Sequence, residues 1–257
     1  MLVDQEIVTR NFYGINENQD DSRFEVYALG PGFVLVDGQV IDSWEGHLPR
    51  LLFFFALDRP VVTRSEICQA FWPVLDSDQA VNVFHVTKRR LHKALDTDVL
   101  IHGEGHYHIN PEMTIYYDAM DFVTSLIAAR DEGNPGRIDA WQRVIDLYRG
   151  PFLQGHDDAW ILDRRRDFRI GYLEAMTAMA KVWYDRGRHD QSLSLLLRAL
   201  DEDYSREDIH RDLMQLYTSV GRRSEAAAHY QQFADHLKAR GLEPAPDTQT
   251  LYAEIIA

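Results

Sequence analysis

The segment Ala80 to Leu95, AVNVFHVTKRRLHKAL, decides the fold together with the segment IHGEGHYHI, which follows it at Ile101 to Ile109. Drawn as a helix, the first segment places four apolar side chains within about 60° of one another, so one side can pack in a core. These side chains are Ala80, Phe84, Leu91 and Leu95. In the second segment, Gly103-Glu104-Gly105 predicts a tight turn between two strands. The two segments therefore predict an amphipathic helix followed by a β-hairpin.

The side of this helix opposite the apolar side chains is polar and cationic. Between residues 79 and 95 the chain has four basic residues and no carboxylate. The basic residues are Lys88, Arg89, Arg90 and Lys93. Cations attract phosphates at long range, whereas amide, guanidinium and imidazole groups, such as those of Asn82, Arg89 and His85, can also read base edges. The helix alone favours a solvated basic face, so the neighbouring elements decide between the two interpretations.

Short strands precede the helix. They are predicted at Phe24 to Leu29, Phe33 to Val36 and Gln39 to Ile41, because turn signals at Gly30-Pro31-Gly32 and Asp37-Gly38 separate them. These strands predict a small β-meander.

Two further helices lie between the meander and the basic helix. The first is predicted over His47 to Leu57, where apolar residues recur at three- and four-residue spacing. The second is predicted to begin after Thr63, because Thr63 and Glu66 form a capping-box pattern, and to end before Pro73. Asp76-Ser77-Asp78 can cap the third helix. Strands, three helices and a hairpin predict a winged helix-turn-helix, whose third helix enters a DNA major groove.

Several short motifs occur along this part of the chain in a fixed order. They are Leu51-Leu52, Pro60-Val61-Val62-Thr63-Arg64-Ser65-Glu66, Phe71-Trp72-Pro73, Arg90-Leu91-His92-Lys93-Ala94-Leu95 and Gly105-His106-Tyr107. Together, by their order and spacing, they resemble the DNA-binding domain of OmpR-type regulators, in particular the SARP-type bacterial activators.

The second half contains an internal repeat of 34 residues. The series Trp183, Gly187, Arg188, Ser192 and Leu196 recurs as Tyr217, Gly221, Arg222, Ala226 and Tyr230. An aromatic residue, then a Gly and then a small residue at this spacing form the tetratricopeptide pattern. The Gly allows a turn between two helices, and the small residue lets them approach closely. Because one pair cannot bury its own apolar face, we expect about three stacked helix pairs, the first less regular.

Further motifs in this half are Tyr148-Arg149-Gly150-Pro151-Phe152-Leu153, Trp160 with Arg164 to Arg166, His210-Arg211-Asp212-Leu213-Met214 and Leu242-Glu243-Pro244-Ala245-Pro246. They resemble the bacterial transcriptional activator domain, a helical repeat module that follows the winged helix in SARP-type proteins. The predicted fold is an α+β winged helix-turn-helix with a small β-meander, followed by an all-α tetratricopeptide-like repeat domain. The predicted boundaries are an acidic polar tail over residues 1–23, the winged helix over 24–112 and the repeats over 113–257.

The net charge of −14 is unevenly distributed over the chain. Residues 1–46 carry 2 basic and 9 acidic side chains, residues 47–110 carry 7 of each, and residues 111–257 carry 18 and 25. The predicted DNA-binding helices therefore form the least acidic part, with a net charge of 0 against −7 on either side. A mild charge predicts modest affinity for one copy, strong salt dependence and binding as two or more copies.

The composition agrees with a cytoplasmic protein that has two cores. The resemblance to SARP-type regulators implies a bacterial protein that is associated with the nucleoid. The sequence has no run of 18 apolar residues and no positively charged leader with a cleavable apolar region, so it supports neither a membrane span nor a secretory signal. Cys68 is the sole cysteine and is expected to be a small, reduced core residue.

Searches for catalytic and metal-binding patterns are negative. The sequence has no H-E-x-x-H, G-x-S-x-G or phosphate-binding G-x-x-x-x-G-K-[ST] motif, so we expect no enzyme, no cofactor and no metal. His102, His106 and His108 suggest a metal site, but a hairpin His that contacts phosphate is the simpler interpretation. Arg164 to Arg166 favour an interdomain or solvated salt-bridging face over a second phosphate contact.

We predict a transcriptional regulator, most simply an activator, that binds promoter DNA through Ala80 to Leu95. The expected contacts to bases or phosphates are Asn82, His85, Val86, Arg89 and Lys93, with Arg64 and His106 on flanking phosphates. The resemblance to SARP-type proteins implies direct-repeat operators, a possible homo-oligomer on DNA, and contact with RNA polymerase or its sigma factor, with no membrane partner.

Two other hypotheses stay open. The first is a protein–protein interaction module in which the winged helix has lost DNA binding and serves with the repeats as a scaffold of a larger signalling regulator. The net negative charge of the chain favours this scaffold. An exposed basic face along Asn82 to Lys93 would favour DNA binding instead. The second is a small-molecule site in the groove of the repeats that controls DNA affinity.

Overall fold

The computed structural model describes residues 23–257. Apart from Arg23, the predicted acidic tail over residues 1–23 lies outside the described residues. The described chain divides into two compact units, residues 23–127 with Asp146–Phe168, and Ala128–Ile145 with Arg169–Ala257. The first unit extends past residue 112, and the predicted boundary there remains a prediction.

The elements follow one another in this order. The first unit begins with β1 (Phe24–Tyr27), β2 (Phe33–Val36), β3 (Gln39–Val40), α1 (Leu48–Asp58), β4 (Val62–Thr63), α2 (Arg64–Phe71), α3 (Ser77–Leu95), β5 (Leu100–Gly103), β6 (His106–Ile109) and β7 (Ile115–Tyr117). The helices that follow are α4 (Asp118–Arg130), α5 (Arg137–Leu147), α6 (Ala159–Asp185), α7 (His189–Glu202), α8 (Glu207–Ser219), α9 (Arg223–Lys238) and α10 (Pro246–Ile256).

The first sheet has the strand order β3-β2-β1-β7. Strands β1 to β3 pair antiparallel, and the turn between β2 and β3 has φ values of 50° at Asp37 and 75° at Gly38, as a type I′ hairpin requires. The predicted meander is therefore confirmed. Strand β7 was not predicted; it pairs parallel with β1, with Ile115 opposite Phe24.

Helix α1 is apolar on all sides, and Leu51 to Leu57 are all buried, as expected for a helix in the centre of a core. Helix α2 has the predicted capping box. Its Thr63 Oγ1 accepts from Glu66 N (3.2 Å), and Thr63 N donates to Glu66 Oε2 (2.7 Å). Cys68 on this helix is only partly buried, so the core position predicted for it is wrong; burial still raises the pKa of its thiol.

The second sheet has the order β4-β6-β5 and forms the wing. In it, Val62 lies opposite Tyr107 and Thr63 opposite His106. The hairpin turns at Glu104 and Gly105, whose φ values are 51° and 84°. Helices α1 to α3 with this sheet form the predicted winged helix-turn-helix.

Asp118 joins distant parts of the first unit. Its carboxylate is fully buried and accepts from Ala28 N (2.7 Å), Leu29 N (3.2 Å) and Arg149 Nη2 (3.0 Å). Burial raises its pKa to about 6, although these donors oppose the shift. Asp118 therefore fixes the end of β1 to the start of α4 and to the segment around Arg149.

A second buried ion pair lies in the same unit. Arg164 Nε donates to Asp58 Oδ1 at 2.7 Å, and Arg165 donates to the backbone oxygens of Phe152 and Leu153. Arg166 pairs with Asp163 at 3.1 Å. The alternative of a phosphate contact at Arg164 and Arg165 is wrong, because their guanidinium groups already hold protein oxygens.

The second unit contains the predicted repeat. Arg188 N donates to Trp183 O and Arg222 N donates to Tyr217 O, each at 2.8 Å. The glycines of the two turns, Gly187 and Gly221, have φ values of 71° and 79°. The repeated small residues, Ser192 and Ala226, are buried. The turns that join α6 to α7 and α8 to α9 therefore have the same geometry.

The C-terminal helices pack around a small apolar cluster of Met214, Ala226 and Ile255. Partly buried side chains cover it, and the rings of Tyr230 and Tyr252 stack at 3.9 Å. This cluster packs α10 against α8 and α9 at the end of the repeat array.

Candidate nucleic-acid interface

Helix α3 presents one buried and one exposed side. Asp76 caps it by accepting from Gln79 N at 2.9 Å, and it ends at Asp96, where φ is 47°. The buried side chains are Ala80, Phe84, Thr87, Leu91 and Leu95. The predicted apolar side is confirmed, with Thr87 added to it. Thr87 can be buried because its hydroxyl donates to Val83 O at 2.9 Å.

The opposite side carries the predicted contact residues. The side chains of Asn82, His85, Val86 and Arg89 are exposed and recur at helical spacing, so they form one stripe. Val86 is 42% exposed, which leaves an apolar surface between the polar groups. We call these four residues the α3 stripe.

Arg64 and the wing lie beside the α3 stripe. Because Thr63 pairs with His106, Arg64 at the start of α2 lies next to the wing strand β6. Arg64 and His106 are both exposed, and His106 Nδ1 is 3.0 Å from Glu104 O. The structure thus brings both predicted flanking residues to the same edge of the domain.

His85 lies in a positive electrostatic environment. Burial lowers its pKa most, and the charges of Lys88, Arg64 and Arg89 lower it further. Residues from two helices therefore act on one imidazole. A phosphate at this position would oppose their charges and favour the imidazolium form.

Lys88 has a structural role. Its Nζ donates to Leu100 O at 3.4 Å and lies 5.4 Å from the ring centroid of Tyr107. These contacts attach α3 to the wing, so Lys88 is less available to a ligand than Arg89.

Lys93 and Arg90 are engaged by an acidic side chain that sequence reasoning missed. Lys93 Nζ lies 2.6 Å from Glu45 Oε1, and Arg90 Nε lies 3.3 Å from Glu45 Oε2. Within the described chain, Arg89 and Arg64 have no such carboxylate partner. Glu45 lies in a segment without helix or strand between β3 and α1. No local sequence pattern indicates that it reaches α3, because the contact spans 48 residues.

The histidines of the wing do not form a metal site. Across residues 23–257, no group of three or more His, Cys, Asp or Glu side chains is arranged to hold a metal ion. His102 instead packs on Tyr107, with ring centroids 4.8 Å apart.

The second unit has a groove of about 660 Å³. Trp141 and Tyr184 contribute aromatic surface, and Lys181 and Asp212 contribute charges. The volume is in the range of small-ligand sites, so the hypothesis of an effector in the repeats stays open.

No helix in the described part of the chain combines the length and the apolar character that crossing a membrane requires. The model of the bacterial transcriptional activator domain family matches residues 121–256, more than half of the chain. No curated protein matches the sequence.

Among solved structures, the chain is similar to Mycobacterium tuberculosis EmbR, determined in complex with a low-affinity phosphopeptide. The identity is 22% and the TM-score is 0.75. The likeness covers 92% of this chain and 65% of that chain, so it spans less than two thirds of the EmbR chain. At this identity the likeness shows the fold.

Proposed function

Since this chain belongs to the bacterial transcriptional activator domain family, we propose that it is a SARP-type regulator that controls transcription by binding promoter DNA through α3. The family match confirms the predicted resemblance of the second half to the bacterial transcriptional activator domain. Within this proposal the protein is an activator and carries no catalytic activity.

The observation that carries the proposal is the exposed α3 stripe. Asn82 and Arg89 can form paired hydrogen bonds with base edges, and Val86 can contact a thymine methyl group. Among residues 23–257 the side chains of the stripe are exposed, and they lie opposite the buried side of the helix. Arg64 and His106 are exposed at the edge beside the stripe, and we assign them to phosphates that flank the major groove.

The proposed partners are double-stranded promoter DNA, which α3 would bind, and RNA polymerase or its sigma factor. The mild charge of residues 47–110 supports binding as several copies on direct repeats, since each copy contributes little affinity alone.

Replacement of Arg89 by Ala tests the proposal. We expect the affinity for an operator selected from random DNA to fall by about 1 to 3 kcal/mol, with relaxed specificity at one base position. Gel-shift titration at constant salt measures the change. Arg223→Ala is the matched control, because it removes an exposed arginine from the second unit. Equal affinities of wild type and Arg89→Ala would refute the assignment of Arg89.

The alternative is a scaffold whose winged helix does not bind DNA. The ion pairs of Glu45 favour it, because they neutralise part of the positive charge of α3. Selection of bound DNA from a random pool separates the two functions, because a scaffold that does not bind DNA enriches no sequence in the pool.

A further inference from the structure

Glu45 is held in a fixed position beside α3. Gly46 N donates to Trp44 O at 2.8 Å, which places Glu45 at the centre of a three-residue turn. Trp44 Nε1 donates to Ile41 O at 2.9 Å, and Gly46 has a φ of 87°, which favours glycine. The backbone therefore directs one carboxylate toward α3.

The carboxylate meets the end of the α3 stripe. Lys93 lies 11 residues after Asn82, which is about three helical turns, so both side chains lie on one side of the helix. Arg90 lies one turn before Lys93. A DNA backbone that follows the stripe would reach the cations that Glu45 now holds.

A carboxylate and a phosphate bind cations in the same way, through two anionic oxygens. Each oxygen of Glu45 binds one cation, at 2.6 Å for Lys93 and 3.3 Å for Arg90. The three side chains together have a net charge of +1, whereas Lys93 and Arg90 alone would have +2.

We infer that Glu45 occupies the place of a DNA phosphate on Lys93 and Arg90, and that DNA must displace it to bind. Glu45 then limits the affinity of α3 for any DNA, so that base contacts along the α3 stripe decide which sites are bound. This inference rests on the proposed function.

Displacement is feasible because the pairing is exposed. The side chains of Glu45 and Lys93 are 44% and 76% exposed, and exposed ion pairs contribute little stability. The hydrogen bond and charge of Lys93, and then the charge of Arg90, lower the pKa of Glu45. The carboxylate therefore stays ionised at neutral pH and competes under all ordinary conditions.

The test is Glu45→Gln in the full chain, with a selected operator and a random-sequence duplex as probes. Fluorescence anisotropy at several salt concentrations measures both affinity and its salt dependence. We expect binding to both duplexes to tighten by about threefold to tenfold, and the slope of log K against log salt to steepen by about one. Glu112→Gln is the matched control, since it changes net charge equally at an exposed carboxylate of the same unit.

Three results would overturn the inference: weaker binding, an unchanged salt slope, or a gain no larger than that of Glu112→Gln. If Arg89→Ala weakens binding in the same assay, the proposed function survives such a result. If neither wild type nor Glu45→Gln binds any duplex, both the function and the inference fall. A urea titration of Glu45→Gln verifies that the fold is retained.

Discussion

Two neighbouring tyrosines of β7 have opposite hydrogen-bonding states. Both are buried, but Tyr116 donates its hydroxyl hydrogen to Asp121 Oδ2 at 3.0 Å, whereas the Tyr117 hydroxyl has no partner among residues 23–257. Burial most of all, with the nearby carboxylates of Asp58 and Asp118, raises the Tyr117 pKa. A buried hydroxyl without a partner costs about 1 to 3 kcal/mol.

We therefore expect Tyr117→Phe to leave the free energy of unfolding unchanged or raise it by up to about 1 kcal/mol, because it removes the unpaired group without a cavity. Tyr116→Phe is the control and should lower it by about 1 kcal/mol, because it removes a hydrogen bond. Urea unfolding of the full chain measures both. Equal losses in the two variants would show that the Tyr117 hydroxyl has a stabilising partner.

At the scale of elements, a histidine pair joins α8 to α9. His210 is fully buried; its Nδ1 lies 2.8 Å from His229 Nε2, and its Nε2 donates to Tyr204 O at 2.9 Å. When both rings are neutral, His229 Nε2–H donates to His210 Nδ1, and the hydrogen bond between the rings excludes the state in which both are charged. Burial lowers both pKa values, that of His229 to about 4, and the neighbouring His236 also disfavours charge on His210.

Protonation of this histidine pair destabilises the folded state. An unfolded His titrates near 6.5, so the stability from this pair is complete above about pH 6.5 and is lost as the pH falls toward 4. Because His229 is partly exposed, we expect the free energy of unfolding to fall by only about 1 to 3 kcal/mol over this pH range. His229→Gln should reduce this acid sensitivity, measured as the change in Tm between pH 7 and pH 5. The exposed His189, replaced by Gln, is the control; equal acid sensitivity in His229→Gln and wild type would contradict the assignment.

The elements also show what sequence can predict. Helix α3 was predicted because its apolar spacing and its Asp76 cap are local, and the repeat turns because Gly187 and Gly221 recur in register. Strand β7 was missed because it has three residues and its partner β1 lies about 90 positions earlier. Glu45 was missed for the same reason: its role depends on a fold that brings distant segments together.

At the scale of the molecule, the first compact unit ends at different residues from the domain predicted by the sequence motifs. Sequence motifs predict a winged helix that ends at residue 112, yet the unit includes β7, the start of α4 and Asp146–Phe168. Asp118 and Arg164 explain the difference, since each binds a group that lies before residue 60. The segment that resembles the activator domain is thus partly built into the winged-helix unit.

A truncation experiment tests this physical coupling. A fragment of residues 24–112 would lack three partners. These are strand β7, which pairs with β1, the Asp118 carboxylate, which accepts from Ala28 N and Leu29 N, and Arg164, which pairs with Asp58. Breaking a buried ion pair costs about 3 to 5 kcal/mol, which is comparable to the whole stability of a small domain. We expect this fragment to show no cooperative urea transition by circular dichroism, while a fragment of residues 24–168, which restores all three contacts, shows one. Cooperative unfolding of the shorter fragment at the midpoint of the longer one would mean that these contacts do not stabilise the winged helix.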